Sequence, residues 1–123
     1  MIQTLAIKNF NTILYCKKWC QTVIFYKADL KLPISFETEW FVEFKVNDRA
    51  CLSVADESKA TINSSKGAGI TLAFQTDNIH KAWQLLHNKG LAPCSIKEHA
   101  WGAEVFYLYD PEGHRIEIWS LIC

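Results

Sequence analysis

The chain lacks any apolar run close to the roughly 18 residues that a membrane-crossing helix requires. Its first residues, MIQTLAIKNF, also lack the charged segment, apolar segment and cleavage motif of a secretory signal. Both absences predict a cytoplasmic protein with no membrane partner. Lys and Arg total 13, as do Asp and Glu, so no net positive field attracts nucleic acid. We therefore expect no nucleic-acid partner.

Recognisable nucleotide-binding and hydrolase motifs are absent as well. The sequence contains no glycine-rich phosphate loop, no G-x-S-x-G and no H-E-x-x-H. The five cysteines form an odd number in a chain without a secretory signal, which favours reduced thiols over a disulfide framework. They are Cys16, Cys20, Cys51, Cys94 and Cys123.

The sequence predicts the same order of elements twice: a strand, a helix and then further strands. In the first half, NTILYC has the composition of a strand and WCQTVIFYKADL has apolar residues at helical spacing. The runs EWFVEFKV and ACLSVA follow, separated by the turn signal Asn47-Asp48, and this pattern predicts a hairpin. The polar segment from Asp56 to Gly69 predicts a linker.

In the second half, the strand ITLAFQT precedes a helix that Asp77 is expected to cap and Lys89-Gly90 to end. The strands EVFYLY and HRIEIWSL then flank the turn signal Asp110-Pro111-Glu112-Gly113. The sequence predicts one α+β domain spanning residues 1–123, with halves at about 8–56 and 68–121.

The segment WGAEVFYLYDPEGHRIEIW, from Trp101 to Trp119, resembles the closing hairpin of the vicinal-oxygen-chelate superfamily, which includes glyoxalases, bleomycin-resistance proteins and extradiol dioxygenases. The pattern is W-G-x-x-x-F-x-x-x-D-P-x-G-x-x-I-E. IFYKADLKLP is similar to the superfamily's F-Y-x-x-x-L-G-L segment, with Lys31 where glycine is usual. The resemblance implies two βαβββ units, a curved mixed sheet with helices on its outer face, a ligand cup on its inner face, and a homodimer.

The resemblance also implies where a divalent metal would bind: a His on the first strand, a His on the first strand of the second half, and a Glu on the last strand. Glu117 stands at the last position, but Thr12 and Thr71 stand at the other two. Neutral hydroxyls are poor ligands for Zn²⁺, Fe²⁺ or Ni²⁺. We therefore expect no cofactor and disfavour a tightly held divalent metal.

Glu117 is the candidate catalytic residue, as a general base, or else a strand carboxylate paired with Arg115 or another neighbour.

The resemblance implies a role for Tyr107, because extradiol relatives place an active-site tyrosine ten residues before the last-strand glutamate, and Tyr107 can line the cup with Glu117 if the hairpin register brings both to one face. Strand alternation assigns the residues of the last strand. It places Arg115, Glu117 and Trp119 on one face of the last strand, with Ile116 and Ile118 turned towards the helices. His99 is expected in a loop at the mouth of the cup, and His114, after a turn glycine, at the surface. The predicted ligand-binding residues are Thr12, Trp40, Thr71, His99, Trp101, Tyr107, Tyr109, Arg115 and Trp119.

Three functions remain open from the sequence. The first hypothesis is a metal-free binding protein whose aromatic cup takes a planar or aromatic small molecule, as drug-sequestering bleomycin-resistance relatives do, with cationic ligands included. The alternative is a glyoxalase-like lyase or isomerase, or another metalloenzyme of the superfamily, that uses Glu117. The third is a scaffold domain whose cup is filled by its own side chains.

Overall fold

Hydrogen bonding divides eight strands into two four-stranded sheets in a computed structural model that describes residues 3–122. The chain divides after Ser64 into two compact units, and this boundary lies within the predicted linker. Each unit has the element order βαβββ, which confirms the α+β prediction. None of the helices in the described chain is long and apolar enough to cross a membrane. Cys123 lies outside the described residues.

The first unit forms a sheet in the order β1-β4-β3-β2. Its elements are β1 (Phe10–Cys16), α1 (Trp19–Ile24), β2 (Ile34–Glu37), β3 (Phe41–Asn47) and β4 (Ala50–Asp56). β1 runs parallel to β4, and the other neighbours are antiparallel. The predicted hairpin at Asn47-Asp48 is confirmed, and the Asn47 side chain accepts a hydrogen bond from the Arg49 amide at 3.0 Å.

The helix α1 continues into a π-helical turn, Phe25–Asp29, in which the Leu30 amide donates to the Phe25 carbonyl at 3.0 Å. Both Phe25 and Tyr26 are buried there, with ring centroids 5.0 Å apart in a T-shaped contact. Lys31 follows with φ of 54°, in the left-handed region that glycine adopts without strain. This backbone conformation accounts for the glycine of the family pattern at that position.

The second unit forms a sheet in the order β5-β8-β7-β6, with β5 parallel to β8. Its elements are β5 (Thr71–Gln75), α2 (Ile79–Asn88), β6 (Lys97–His99), β7 (Ala103–Tyr109) and β8 (Arg115–Leu121). The prediction that Asp77 caps α2 is wrong, because Asn78 occupies the cap and its side chain accepts from the Lys81 amide at 3.1 Å. The helix ends before Gly90, as predicted, where φ is 76°.

In each unit a helix packs on one face of the sheet, which we call the near face, and the opposite side is the far face. In the first unit, the Tyr26 ring contacts the near-face residue Phe44 at 6.0 Å between centroids. In the second, the carboxylate of Glu104 on β7 lies 3.2 Å from the His80 imidazole on α2. Alternation along β8 buries Ile116 and Ile118 on this near face, which confirms their predicted orientation.

Candidate ligand-binding site

The far face of the second sheet carries most of the predicted site residues. Strand register places Glu117 directly between Tyr107 on β7 and Ala73 on β5, and partners in register share a face. Arg115 lies in the same way between Tyr109 and Thr71. The register therefore brings Tyr107 and Glu117 to one face of the sheet.

Arg115 holds a fixed position on this far face. Its Nε donates to Thr71 Oγ1 at 3.0 Å, and its guanidinium carbon lies 4.6 Å from the centroid of the Tyr107 ring. Within residues 3–122 no carboxylate lies within 4.0 Å of the guanidinium, so the predicted pairing of Glu117 with Arg115 is not formed. The Arg115 guanidinium and the Glu117 carboxylate thus lie on the same face of the sheet without forming an ion pair with each other.

An aromatic cluster extends the same face towards β6. The rings of Trp101 and Trp119 meet edge to face at 5.7 Å between centroids, and the His99 ring lies 6.4 Å from that of Trp101. His99 is the last residue of β6 and not a loop residue, which corrects its predicted element. Trp101 is 63% exposed, so its ring has a surface free for further contact.

Thr12 does not lie on the far face of the first sheet. It is in register with Leu52, which is also the partner of Phe44, so Thr12 belongs to the near face. The far-face residue beside it is Asn11, which accepts from the Ser53 hydroxyl at 2.8 Å and donates to Glu43 at 3.3 Å. The prediction that Thr12 faces the cup is therefore wrong. The spacing argument is in error by one residue, and an error of one residue exchanges the two faces of a strand.

A pocket of about 290 Å³ opens on the far face of the first unit. Ala55 is paired in register with Tyr15 on one side and Phe41 on the other, so a methyl group lies between two aromatic rings and leaves a slot. The Trp40 ring meets the Phe41 ring edge to face at 5.8 Å. The lining residues are Ile13, Tyr15, Trp40, Phe41, Ala55, Lys59, Ala60 and Thr61.

Of the predicted binding residues, only Trp40 lines this pocket. Side chains alternate between the two faces along NTILYC. Had Asn11 been assigned to the far face in place of Thr12, alternation would have predicted Ile13 and Tyr15 on that face as well. Lys59 and Thr61 lie in the segment predicted as a linker, and no pattern there marked them. A short 3₁₀ turn, Glu57–Lys59, folds this segment against the sheet end.

The positions implied for metal ligands do not fit a divalent cation. The Thr71 hydroxyl is occupied by the Arg115 guanidinium, which would repel a metal ion at that place. Thr12 faces α1, and the Asn11 amide beside it is bonded to Ser53 and Glu43. In residues 3–122 no group of three His, Cys, Asp or Glu side chains is arranged to hold a metal ion.

A strongly buried polar pair belongs to the turn between β7 and β8. Asp110 Oδ1 accepts from the backbone amides of Glu112, Gly113 and His114 at 2.9–3.0 Å, and Oδ2 lies 2.8 Å from His114 Nδ1. His114 is 1% exposed, so its predicted surface position is wrong. The pair fixes the hairpin that carries Tyr107 and Glu117, and its role is structural.

Solved structures share this fold. A glyoxalase/bleomycin resistance protein/dioxygenase from Nocardioides superposes with a TM-score of 0.79 at 18% identity, covering 99% of this chain and 87% of that chain. A lactoylglutathione lyase from Agrobacterium tumefaciens gives 0.77 at 17% identity, covering 95% of this chain and 96% of that one. Fold and relatives together define a protein of the vicinal-oxygen-chelate superfamily.

The family within that superfamily follows from the sequence. A family model described as a glyoxalase-like domain matches residues 9–122, and the chain belongs to this family. The uncharacterized protein YraH of Bacillus subtilis (strain 168) is 29% identical, over 83% of this chain and 89% of its own length.

Proposed function

We propose that this protein binds a planar or aromatic small molecule without a tightly held metal, in the manner suggested by the bleomycin-resistance name among its structural neighbours. The pocket of the first unit carries the proposal, because three aromatic side chains, Tyr15, Trp40 and Phe41, surround a slot above Ala55. Aromatic walls give a flat ring a large contact area with little side-chain entropy to lose. The homodimer implied by the resemblance stays a prediction.

The size of the pocket agrees with a small ligand. Its volume of about 290 Å³ is near the lower end of the range of about 300–1,000 Å³ that is usual for ligand pockets. Trp40 is 37% exposed, so one edge of its ring is available to a ligand while the other packs on Phe41. A compound of one or two fused rings, such as a naphthalene derivative, is the natural first probe.

We expect Trp40→Ala to weaken the binding of a naphthalene derivative by about fivefold or more, because an aromatic contact of this kind contributes about 1 kcal/mol in addition to the free energy of its buried area. Isothermal titration calorimetry measures the dissociation constant directly. Thermal shift gives an independent readout, since a ligand that binds the native state raises its stability by mass action.

Trp101→Ala is the matched control, because Trp101 is also an exposed tryptophan but lies on the far face of the second sheet. The control variant should bind the probe as the unaltered protein does. Weaker binding by Trp101→Ala together with normal binding by Trp40→Ala would move the ligand to the second unit. No thermal shift with any planar compound would favour the scaffold hypothesis over ligand binding.

A second candidate function is a metal-free lyase or isomerase that uses Glu117 as a base, and one observation favours it. Glu117 is half-buried directly opposite Tyr107, and no carboxylate of the described residues lies within 4.0 Å of the nearby Arg115 guanidinium. A general base, a phenol and a guanidinium on one face are groups that acid–base chemistry uses. Loss of activity in Glu117→Gln, with ligand affinity kept, would establish this role.

Metal analysis distinguishes both candidates from a metalloenzyme of the superfamily. We expect protein purified without chelators to contain well below one equivalent of Zn, Ni, Fe or Mn per chain, because hydroxyl and amide groups replace the usual ligands. Glu117→Ala should leave that content unchanged. About one equivalent of metal, lost on Glu117→Ala, is the result that would refute the metal-free proposal.

A further inference from the structure

Among the described residues that line the pocket of the first unit, Lys59 is charged and none is acidic. This distribution of charge bears on which planar ligands the pocket accepts. Aromatic side chains alone favour neutral or cationic rings, whereas a lysine ammonium on the wall attracts an anion and repels a cation.

Lys59 forms no ion pair with the described residues. Within the described part of the chain no carboxylate lies within 4.0 Å of its ammonium group. The two acidic residues that precede it are engaged elsewhere: Asp56 Oδ1 accepts from the Ser58 amide at 3.0 Å and its hydroxyl at 2.8 Å, and Glu57 Oε1 accepts from the Ser64 amide at 2.8 Å. The positive charge is therefore available to a ligand.

The backbone holds Lys59 at this position. It ends the 3₁₀ turn Glu57–Lys59, which the Asp56 side chain caps, and the Ala60 amide closes the turn on the Glu57 carbonyl at 3.1 Å. The next two residues, Ala60 and Thr61, line the pocket with it. The backbone at Lys59 is therefore held at the pocket wall, and its exposed side chain can extend towards the rings of Tyr15 and Trp40.

We propose that the ligand of this pocket is an aromatic acid: a planar ring held in the slot between Tyr15, Trp40 and Phe41, with a carboxylate or similar anionic group bound by Lys59. This inference rests on the proposed binding function and narrows the ligand class from planar molecules in general to anionic ones. It reverses the expectation from aromatic walls alone, which includes cationic ligands.

Three probes of one shape test the charge preference: 2-naphthoate, the neutral 2-naphthamide and the cationic 2-naphthylmethylammonium. Calorimetry should show 2-naphthoate binding about threefold to tenfold more tightly than 2-naphthamide, as expected for a partly exposed ion pair, with the cation weakest. Raising the salt concentration should reduce the advantage of the carboxylate, because exposed charges are screened.

Matched variants assign the preference to one side chain. Lys59→Gln should reduce the ratio of the two dissociation constants to about one, and Lys59→Arg should retain it. Lys45→Gln removes an equal charge from an exposed residue of β3 outside the pocket and should leave the ratio unchanged. The comparison of carboxylate with amide within each variant cancels any general change in the pocket.

Two results would overturn the inference, and they differ in whether the proposed binding function is overturned as well. If all three probes bind but the ratio is the same in Lys59→Gln, or the cation binds most tightly, the anionic preference is wrong and the binding function stands. If none of the probes binds the unaltered protein, the proposed function fails together with the inference.

Discussion

Asp110→Ala is expected to lower the free energy of unfolding by about 3–5 kcal/mol, the loss typical of removing one partner of a buried charged network. The carboxylate is fully buried, and the substitution removes the acceptor of the Glu112 amide, the His114 amide and the His114 imidazole, while the Gly113 amide keeps the Asp110 carbonyl. Each buried donor left unpaired costs about 1–3 kcal/mol, with part of this recovered where the turn opens to water. Urea denaturation followed by circular dichroism measures the loss.

Asp48→Ala is the matched control, because Asp48 is an exposed aspartate in another hairpin turn, the one between β3 and β4. Its loss should stay within about 0.5 kcal/mol, the usual range for surface substitutions. Asp110→Asn keeps one acceptor oxygen and should fall between the two. A loss below about 1 kcal/mol in Asp110→Ala would mean that water replaces the carboxylate at little cost, contrary to the buried network.

The turn at Asp110 shows what local sequence rules predict and what they do not. Asp, Pro and Gly at the observed spacing predicted a turn, and the Gly113 amide donates to the Asp110 carbonyl at 3.0 Å as such a turn requires. The same rules placed His114 at the surface, where the structure buries it. Turn propensities predict the backbone conformation of a few residues. They do not predict which segment packs over the turn, and in this structure that segment is the loop at Gly67.

The two βαβββ units were predicted from the family resemblance, and the far face of the second sheet from strand alternation. The strand β8 alternates without interruption, from exposed Arg115 to buried Ser120, so the correct period gives the correct faces. In β1 the residues Thr12, Ile13 and Leu14 are all compatible with either face, and the spacing from a distant motif decided the assignment. An error of one residue there hid Ile13 and Tyr15 from the predicted site.

Lys59 could not be predicted for a different reason. Its segment is polar and contains no periodic apolar residues, which is the ordinary signature of a linker. Its position follows from side-chain hydrogen bonds to the backbone, at Asp56 and Glu57, which bend the segment onto the sheet. Contacts of this kind depend on which conformation the loop adopts, and that conformation is set by the fold as a whole.

Gly67→Ala is the second substitution with a large expected effect, a loss of about 3 kcal/mol or more in the free energy of unfolding. A β-carbon at Gly67 would overlap the carbonyl group of Gly113 and lie 2.6 Å from the His114 nitrogen. These are backbone atoms held in place by the Asp110 network, so they have little freedom to move away. Overpacking costs about 1–3 kcal/mol, in addition to about 1–2 kcal/mol for alanine at a φ of +83°.

Gly69→Ala separates the overlap from the backbone conformation, because Gly69 has a similar φ of +76° but nothing within 4 Å of its added β-carbon. Its loss should be about 1 kcal/mol, since strain in the left-handed region is partly offset by a less flexible unfolded chain. The difference between the two variants measures the close approach of the loop to the Asp110 turn. Equal losses in Gly67→Ala and Gly69→Ala would show that this approach contributes nothing, and that the Asp110 network alone holds the hairpin beneath Tyr107 and Glu117.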